Sequence, residues 1–240
     1  MTTPITSTTV LPARREEISF STSDGLTLVG EVAWPEDHPP MATALFCHPL
    51  PTAGGFMDSH IIRKASWRLP ALADIAVFRF NFRGVSSPRG TSEGTFGDGV
   101  AERYDLEAAL EESERIRLLA PWLIGWSFGT EVILSHARAH TGRIAGVILL
   151  SPPLHRTSPA DLASWNNAPV AVVALIPEFD DFLPPDRATE AFALAPTIEL
   201  VMAEGAKHLW VGEKQTRFVL NEITKRLNPA AAPLPEAWSV

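Results

Sequence analysis

One sharp turn constrains this chain more than any other feature. Pro121 to Thr130 reads PWLIGWSFGT. Trp122, Leu123 and Ile124 form an apolar run suited to a strand, and Phe128, Val132, Ser135 and Ala139 then recur at helical spacing. Between them lies Gly125-Trp126-Ser127-Phe128-Gly129. A strand that passes into a helix through G-x-S-x-G turns too tightly for side chains at its flanks. Glycine therefore occupies both flanks, and the serine hydroxyl stands exposed at the end of the strand.

The rest of the chain supplies a setting for that turn. Residues 17–21 and 26–34 read as two strands joined at Asp24-Gly25, a hairpin turn signal. Thr43 to Cys47 is a continuous apolar run fit for a strand buried on both faces. His48 to Gly55 follows as a loop, and a helix then carries Ile62, Ala65, Leu69 and Leu72 on one side. Residues 75–80 form another strand, 84–99 a long Gly- and Ser-rich loop, and 100–119 a helix. Beyond the turn come strands at 144–150, 169–176 and 197–203, a helix at 185–194, and a terminal helix with Leu220, Ile223 and Leu227. Apolar strands alternating with amphipathic helices predict a mostly parallel sheet with helices on both faces, because parallel strands need crossover connections. The initial hairpin adds an antiparallel edge. With 240 residues and 45% hydrophobic content, one domain over residues 16–228 is expected, between a loose arm (1–15) and an irregular tail (229–240).

Composition narrows the partners. A formal charge of −8 and the lack of a basic run argue against nucleic acid. Cys47 is the single cysteine, so an internal disulfide and a cysteine-rich metal site are both excluded. The start, MTTPITSTTV, lacks a charged region followed by an apolar core, and no apolar run approaches bilayer length. The expectation is a cytoplasmic chain that engages no membrane.

In such a sheet, active groups belong on loops at the carboxyl ends of strands. His48, Ser127, Asp180, Asp181 and His208 all fall there. A serine hydroxyl stays protonated near neutral pH, so a histidine must take its proton and a carboxylate must orient that histidine. His208 follows the last strand after Gly205-Ala206, where a loop can fold back over Ser127. His136 and His140 lie on the helix after the turn and suit packing or surface positions, while His155 could line the pocket. Asp180 and Asp181 stay unresolved on these grounds. No H-x-x-x-H or cysteine pair accompanies these residues, so neither a metal nor another cofactor is expected. Ser, Asp, His is the order of the triad in α/β-hydrolases.

HPLPTAGGFMD, FNFRGV and GWSFGT, in that order over about residues 40–212, resemble the small bacterial α/β-hydrolases. Those carry H-P-x-P-x-x-G-G-x-M-D, F-N-F-R-G-V and G-[FW]-S-F-G. The resemblance implies an α/β-hydrolase fold and a triad of Ser127, Asp180 and His208. Asp180 is favoured because Asp180-Asp181-Phe182-Leu183-Pro184 matches the D-x-x-[LV]-P acid loop. The chain departs from the pattern at Asp58-Ser59-His60, where Asp-Asn-Lys is expected, and in its longer 85–97 loop; both are expected to flank the site. The resemblance adds little about substrate; the triad itself leads to a serine hydrolase that cleaves a small carboxylic ester or thioester through an acyl-enzyme. Acyl transfer or peptide cleavage by the same triad is the alternative, as is a ligand-binding protein without turnover. The connection from Leu154 to Ala168 holds only 15 residues, too few for a cap domain, so loops including 85–97 and the Trp165 region are expected to form the pocket rim.

An oxyanion needs preorganised N–H groups. Phe128, the residue after the serine, opens a helix and supplies one. In Pro49-Leu50-Pro51 only Leu50 carries an N–H, since proline has none; Leu50 is the expected second donor, with Thr52 or Gly54 as alternatives.

Overall fold

The computed structural model describes residues 2–239. Its main sheet contains β1 (Arg14–Ser21), β2 (Thr27–Trp34), β3 (Ala42–Cys47) and β4 (Ile75–Phe80), followed by β5 (Trp122–Trp126), β6 (Gly146–Leu150), β7 (Ala171–Phe179) and β8 (Glu199–Lys207). The helices are α1 (His60–Ala73), α2 (Glu102–Arg115), α3 (Phe128–His136), α4 (Pro159–Ser164), α5 (Pro185–Phe192) and α6 (Glu213–Leu227). Across the sheet the order is β1-β2-β4-β3-β5-β6-β7-β8. The β1–β2 and β2–β4 pairs are antiparallel, and every later pair is parallel.

Alternation along the strands divides the core into two layers. Leu45, Cys47, Leu123, Val147 and Leu149 point to one face and pack under α2, α3, α4 and α5. Ala44, Phe46, Ile124, Trp126, Ile148 and Leu150 point to the other, where α1 and α6 cover them. Because β3 to β7 are covered on both faces, their sequences are apolar runs rather than alternating ones. The connection from β6 to β7 contains only the short α4, and no cap domain stands over the sheet.

Several elements differ from the sequence expectation for identifiable reasons. The helix expected over 100–119 spans Glu102–Arg115, because the buried Glu102 carboxylate instead accepts the Gly97 and Gly99 N–H groups (2.7 and 2.8 Å) and holds 97–101 as turns. The loop over 84–99 contains a small hairpin, Ser86–Ser87 against Gly90–Thr91. The last strand runs to Lys207, past Gly205, with a register shift against Pro177 and Phe179. The termini are also less irregular than expected. Thr2–Pro4 pairs antiparallel with Ala237–Ser239, Leu11 is buried, and Pro229–Ala231 forms a 3-10 turn. No helix among the described residues is long and apolar enough to cross a membrane.

Candidate active site

β5 delivers Ser127 to the carboxyl edge of the sheet, and the turn forces an unusual backbone on it. Ser127 has φ 51° and ψ −116°, a conformation that costs a non-glycine residue on the order of 1–3 kcal/mol. Its neighbours hold it there. A Cβ on Gly129 would sit 2.1 Å from the Cys47 carbonyl oxygen, and one on Gly125 would sit 2.6 Å from the Thr130 nitrogen. The helix therefore starts directly beneath β3 and β5, and only glycine permits that approach.

Around Ser127 the expected side chains converge. Its Oγ lies 2.9 Å from His208 Nε2, and His208 Nδ1 lies 2.9 and 3.1 Å from the two Asp180 carboxylate oxygens. The geometry assigns the proton on Nδ1 to the Asp180 side, leaving Nε2 to accept from the serine hydroxyl. Asp180 is buried and also accepts the N–H groups of Phe182 and Leu183 at 2.9 and 3.2 Å. Burial pushes its pKa up, but His208 and the two amides outweigh that and hold it below the ordinary carboxylate range. Asp181, one residue on, is exposed, and among the described residues the carboxylate that His208 meets is that of Asp180. The Phe182 ring packs edge-on against His208 with centroids 4.5 Å apart, and His155 packs on Phe182 rather than lining the cavity.

The loop after β3 faces the same point. Pro51–Ala53 forms a 3-10 turn in which Leu50 O accepts the Ala53 and Gly55 N–H groups. Gly54 N–H is engaged by Pro51 O at 3.0 Å, which removes it as a free donor. Leu50 N–H and Phe128 N–H have no protein acceptor among the described residues. His48 organises this loop from below. Fully buried, it donates Nδ1–H to Pro49 O at 2.7 Å and accepts Phe82 N–H on Nε2 at 3.0 Å. Pro49 O and Leu50 N–H belong to one trans peptide, so holding the oxygen down turns the N–H the opposite way. Burial pushes the His48 pKa down to about 4, which keeps the ring neutral.

Further side chains, which sequence reasoning did not single out, fix the loop bearing His208. Trp126 Nε1–H and Ser151 Oγ–H both donate to His208 O, at 3.2 and 3.1 Å. His60 Nε2–H donates to Leu209 O at 2.7 Å and packs edge-on against Trp126. Each carries a positional signal in the sequence all the same. Trp126 is the residue before the serine, Ser151 directly follows β6, and His60 stands at a departure from the family pattern. The FNFRGV segment serves as scaffold: Asn81 Oδ1 accepts Met57 N–H, and Arg83 bridges Asp24 and Asp105. Arg79, fully buried, binds Glu31 and Asp58 and so ties the loop before α1 to the sheet.

A cavity of about 540 Å³ opens over Ser127. Leu50, Phe56, Trp126, Phe182 and Leu209 supply its apolar wall, and Asp58, His60, Arg63 and Asp181 its polar edge. This corrects the expected rim. Neither the 85–97 loop nor Trp165 lines the cavity: Trp165 is fully buried, donating Nε1–H to Leu134 O, and Phe96 packs under Phe128. Among the described residues no cluster of His, Cys, Asp and Glu is arranged to hold a metal ion.

No protein-family model and no curated protein matches the chain. Solved structures do. Over 94% of this chain and 99% of the other, it is similar to an α/β serine hydrolase without lid from Xanthomonas campestris, with a TM-score of 0.71 and 26% identity. This chain has the α/β-hydrolase fold. An α/β serine hydrolase homologue from Coxiella burnetii aligns over 90% of this chain and 97% of its own, with a TM-score of 0.70 and 24% identity. An esterase from Pyrococcus furiosus reaches a TM-score of 0.73 at 16% identity, over 95% of this chain and 97% of its own. Within an α/β-hydrolase fold the carboxyl ends of β5, β7 and β8 form one edge, and Ser127, Asp180 and His208 stand on it.

Proposed function

We propose that this protein is a serine hydrolase that cleaves a carboxylic ester or thioester through an acyl-enzyme. The reading rests on one observation, the unbroken hydrogen-bonded line from Ser127 Oγ through His208 to Asp180 at the floor of an open, largely apolar cavity. As the serine oxygen attacks the carbonyl carbon, its proton passes to His208 Nε2, and the imidazolium is stabilised by the Asp180 carboxylate. Charge then develops on the carbonyl oxygen. Leu50 N–H and Phe128 N–H are the donors that receive it, the second at the start of α3, where the helix dipole also favours negative charge. Collapse of the tetrahedral intermediate breaks the bond to the alcohol or thiol, which leaves with the proton from His208. A water then gives its proton to the same nitrogen, attacks the acyl carbon, and releases the acid and free Ser127.

Two features support chemistry over mere binding. Ser127 is held in a backbone conformation that is costly for a non-glycine residue, and neither Leu50 N–H nor Phe128 N–H has a protein acceptor among the described residues. Labelling with a fluorophosphonate followed by peptide mass spectrometry tests the reading. A single adduct on Ser127, lost in Ser127→Ala, is the expected result. No adduct, or one that survives the substitution, overturns it. Product analysis with a short-chain ester in the presence of an alcohol separates hydrolysis from acyl transfer.

A further inference from the structure

Arg63 stands out among the charged groups that face the cavity. Asp58 is paired with Arg79 and Arg89. Lys64, one residue on, turns away toward Glu213 Oε2 at 3.3 Å. His60 is held toward its neutral form by burial and spends its N–H on Leu209 O. Asp181 sits exposed at the rim, where water screens it. Arg63 has no such partner. Among the described residues no Asp or Glu oxygen lies within 4.0 Å of its guanidinium, and its Nε is buried with no hydrogen-bond partner. Its guanidinium lies 5.0 Å from the Trp67 ring centroid, which gives it a fixed platform. Arg63 also lies in the first turn of α1, which carries no acidic residue. A cation there opposes the helix dipole, and an incoming anion offsets that unfavourable placement.

Resting on the hydrolase reading above, we propose that Arg63 is a specificity-determining residue that binds a carboxylate on the non-reacting part of the substrate. The enzyme then prefers esters that carry a second, anionic group over neutral esters of the same shape. Guanidinium matches carboxylate geometry in a two-point contact through its two terminal NH2 groups, and water screens the exposed Asp181 that would repel the same anion.

The test compares monomethyl glutarate with dimethyl glutarate, and acetoxyacetate with its methyl ester, so that the anion is carried on the acyl and the alcohol side in turn. For one of the two pairs, kcat/KM should favour the anionic ester by about ten- to a hundredfold. That ratio should collapse in Arg63→Met, survive in part in Arg63→Lys, and persist in Arg103→Met, a remote surface control. Calorimetric titration of glutarate and of acetoxyacetate into the Ser127→Ala protein reads the subsite without turnover, and the Ser127→Ala/Arg63→Met protein should bind neither. Absence of preference in the wild type, or a ratio unchanged in Arg63→Met, overturns the assignment of Arg63. Binding that depends on Arg63 in a wild-type protein that hydrolyses no ester would instead retire the hydrolase reading and leave the anion subsite standing.

Discussion

Leu50→Pro is the sharpest probe of the donor assignment, because it replaces the N–H by the ring Cδ methylene on a backbone that already suits proline, so retained turnover is the decisive outcome. Leu50 has φ −52°, within the range that proline imposes, so the backbone need not move. Its N–H has no protein acceptor to lose, while its carbonyl keeps the Ala53 and Gly55 N–H groups at 3.1 and 2.9 Å. The side chain is half-buried in the cavity wall, and Leu50→Ala serves as the control for its loss. If Leu50 N–H meets the oxyanion, Leu50→Pro should lower kcat by about 10²–10³ relative to Leu50→Ala, equivalent to about 2.7–4 kcal/mol of transition-state stabilisation. The assay is steady-state hydrolysis of a short p-nitrophenyl ester, with thermal unfolding run alongside. Melting temperatures of the two variants should agree within a few degrees. A Leu50→Pro protein that turns over as fast as Leu50→Ala would refute the assignment and move the donor to Thr52, the remaining unengaged N–H of that turn. A phosphonate adduct on Ser127 tests the same donor by distance, with both nitrogens expected about 2.7–3.1 Å from the phosphonyl oxygen.

Other substitutions test the supports around that donor. His48→Asn keeps an N–H for Pro49 O and His48→Gln keeps an acceptor for Phe82 N–H, so Asn should retain the higher kcat; equal losses would remove His48 from the positioning of Leu50. Because burial holds His48 down to about 4, the unfolded chain takes up its proton first as pH falls. Its stabilising effect is therefore complete above about 6.5 and lost between there and 4, roughly 3 kcal/mol in all, and His48→Asn should flatten the pH dependence of unfolding in that window. Asp180→Asn should cut turnover by orders of magnitude and Asp181→Asn only slightly, and kinetics showing the reverse would transfer the orienting role. Gly129→Ala, which would drive a methyl to 2.1 Å from Cys47 O, should yield little folded protein by circular dichroism, whereas normal folding would mean that α3 can slide off β3.

Sequence alone determined what depends on local backbone rules. A serine between two glycines, after an apolar strand and before a helical run, has one conformation open to it, and Ser127 adopts it. Two prolines around Leu50 leave one N–H in that stretch whatever the fold. Apolar runs such as Thr43 to Cys47 and Val147 to Leu150 required a sheet covered on both faces, and hence helical crossovers. The tertiary structure decided what depends on which distant surfaces meet. Asp180 and Asp181 are alike in sequence, but successive residues where a strand ends point in different directions, and only the docking of the β7 and β8 loops selects the one that meets His208. The cavity wall departs from the sequence expectation for the same reason. The 85–97 loop looks like a rim in sequence, yet Phe96 is drawn under Phe128, while 55–63 is pulled to the cavity by Arg79, a buried cation that must find Glu31 and Asp58. Buried charges choose partners far along the chain, at separations that no local pattern encodes. Arg63, left without a partner by the same packing, became visible only once every neighbouring charge had been assigned its own.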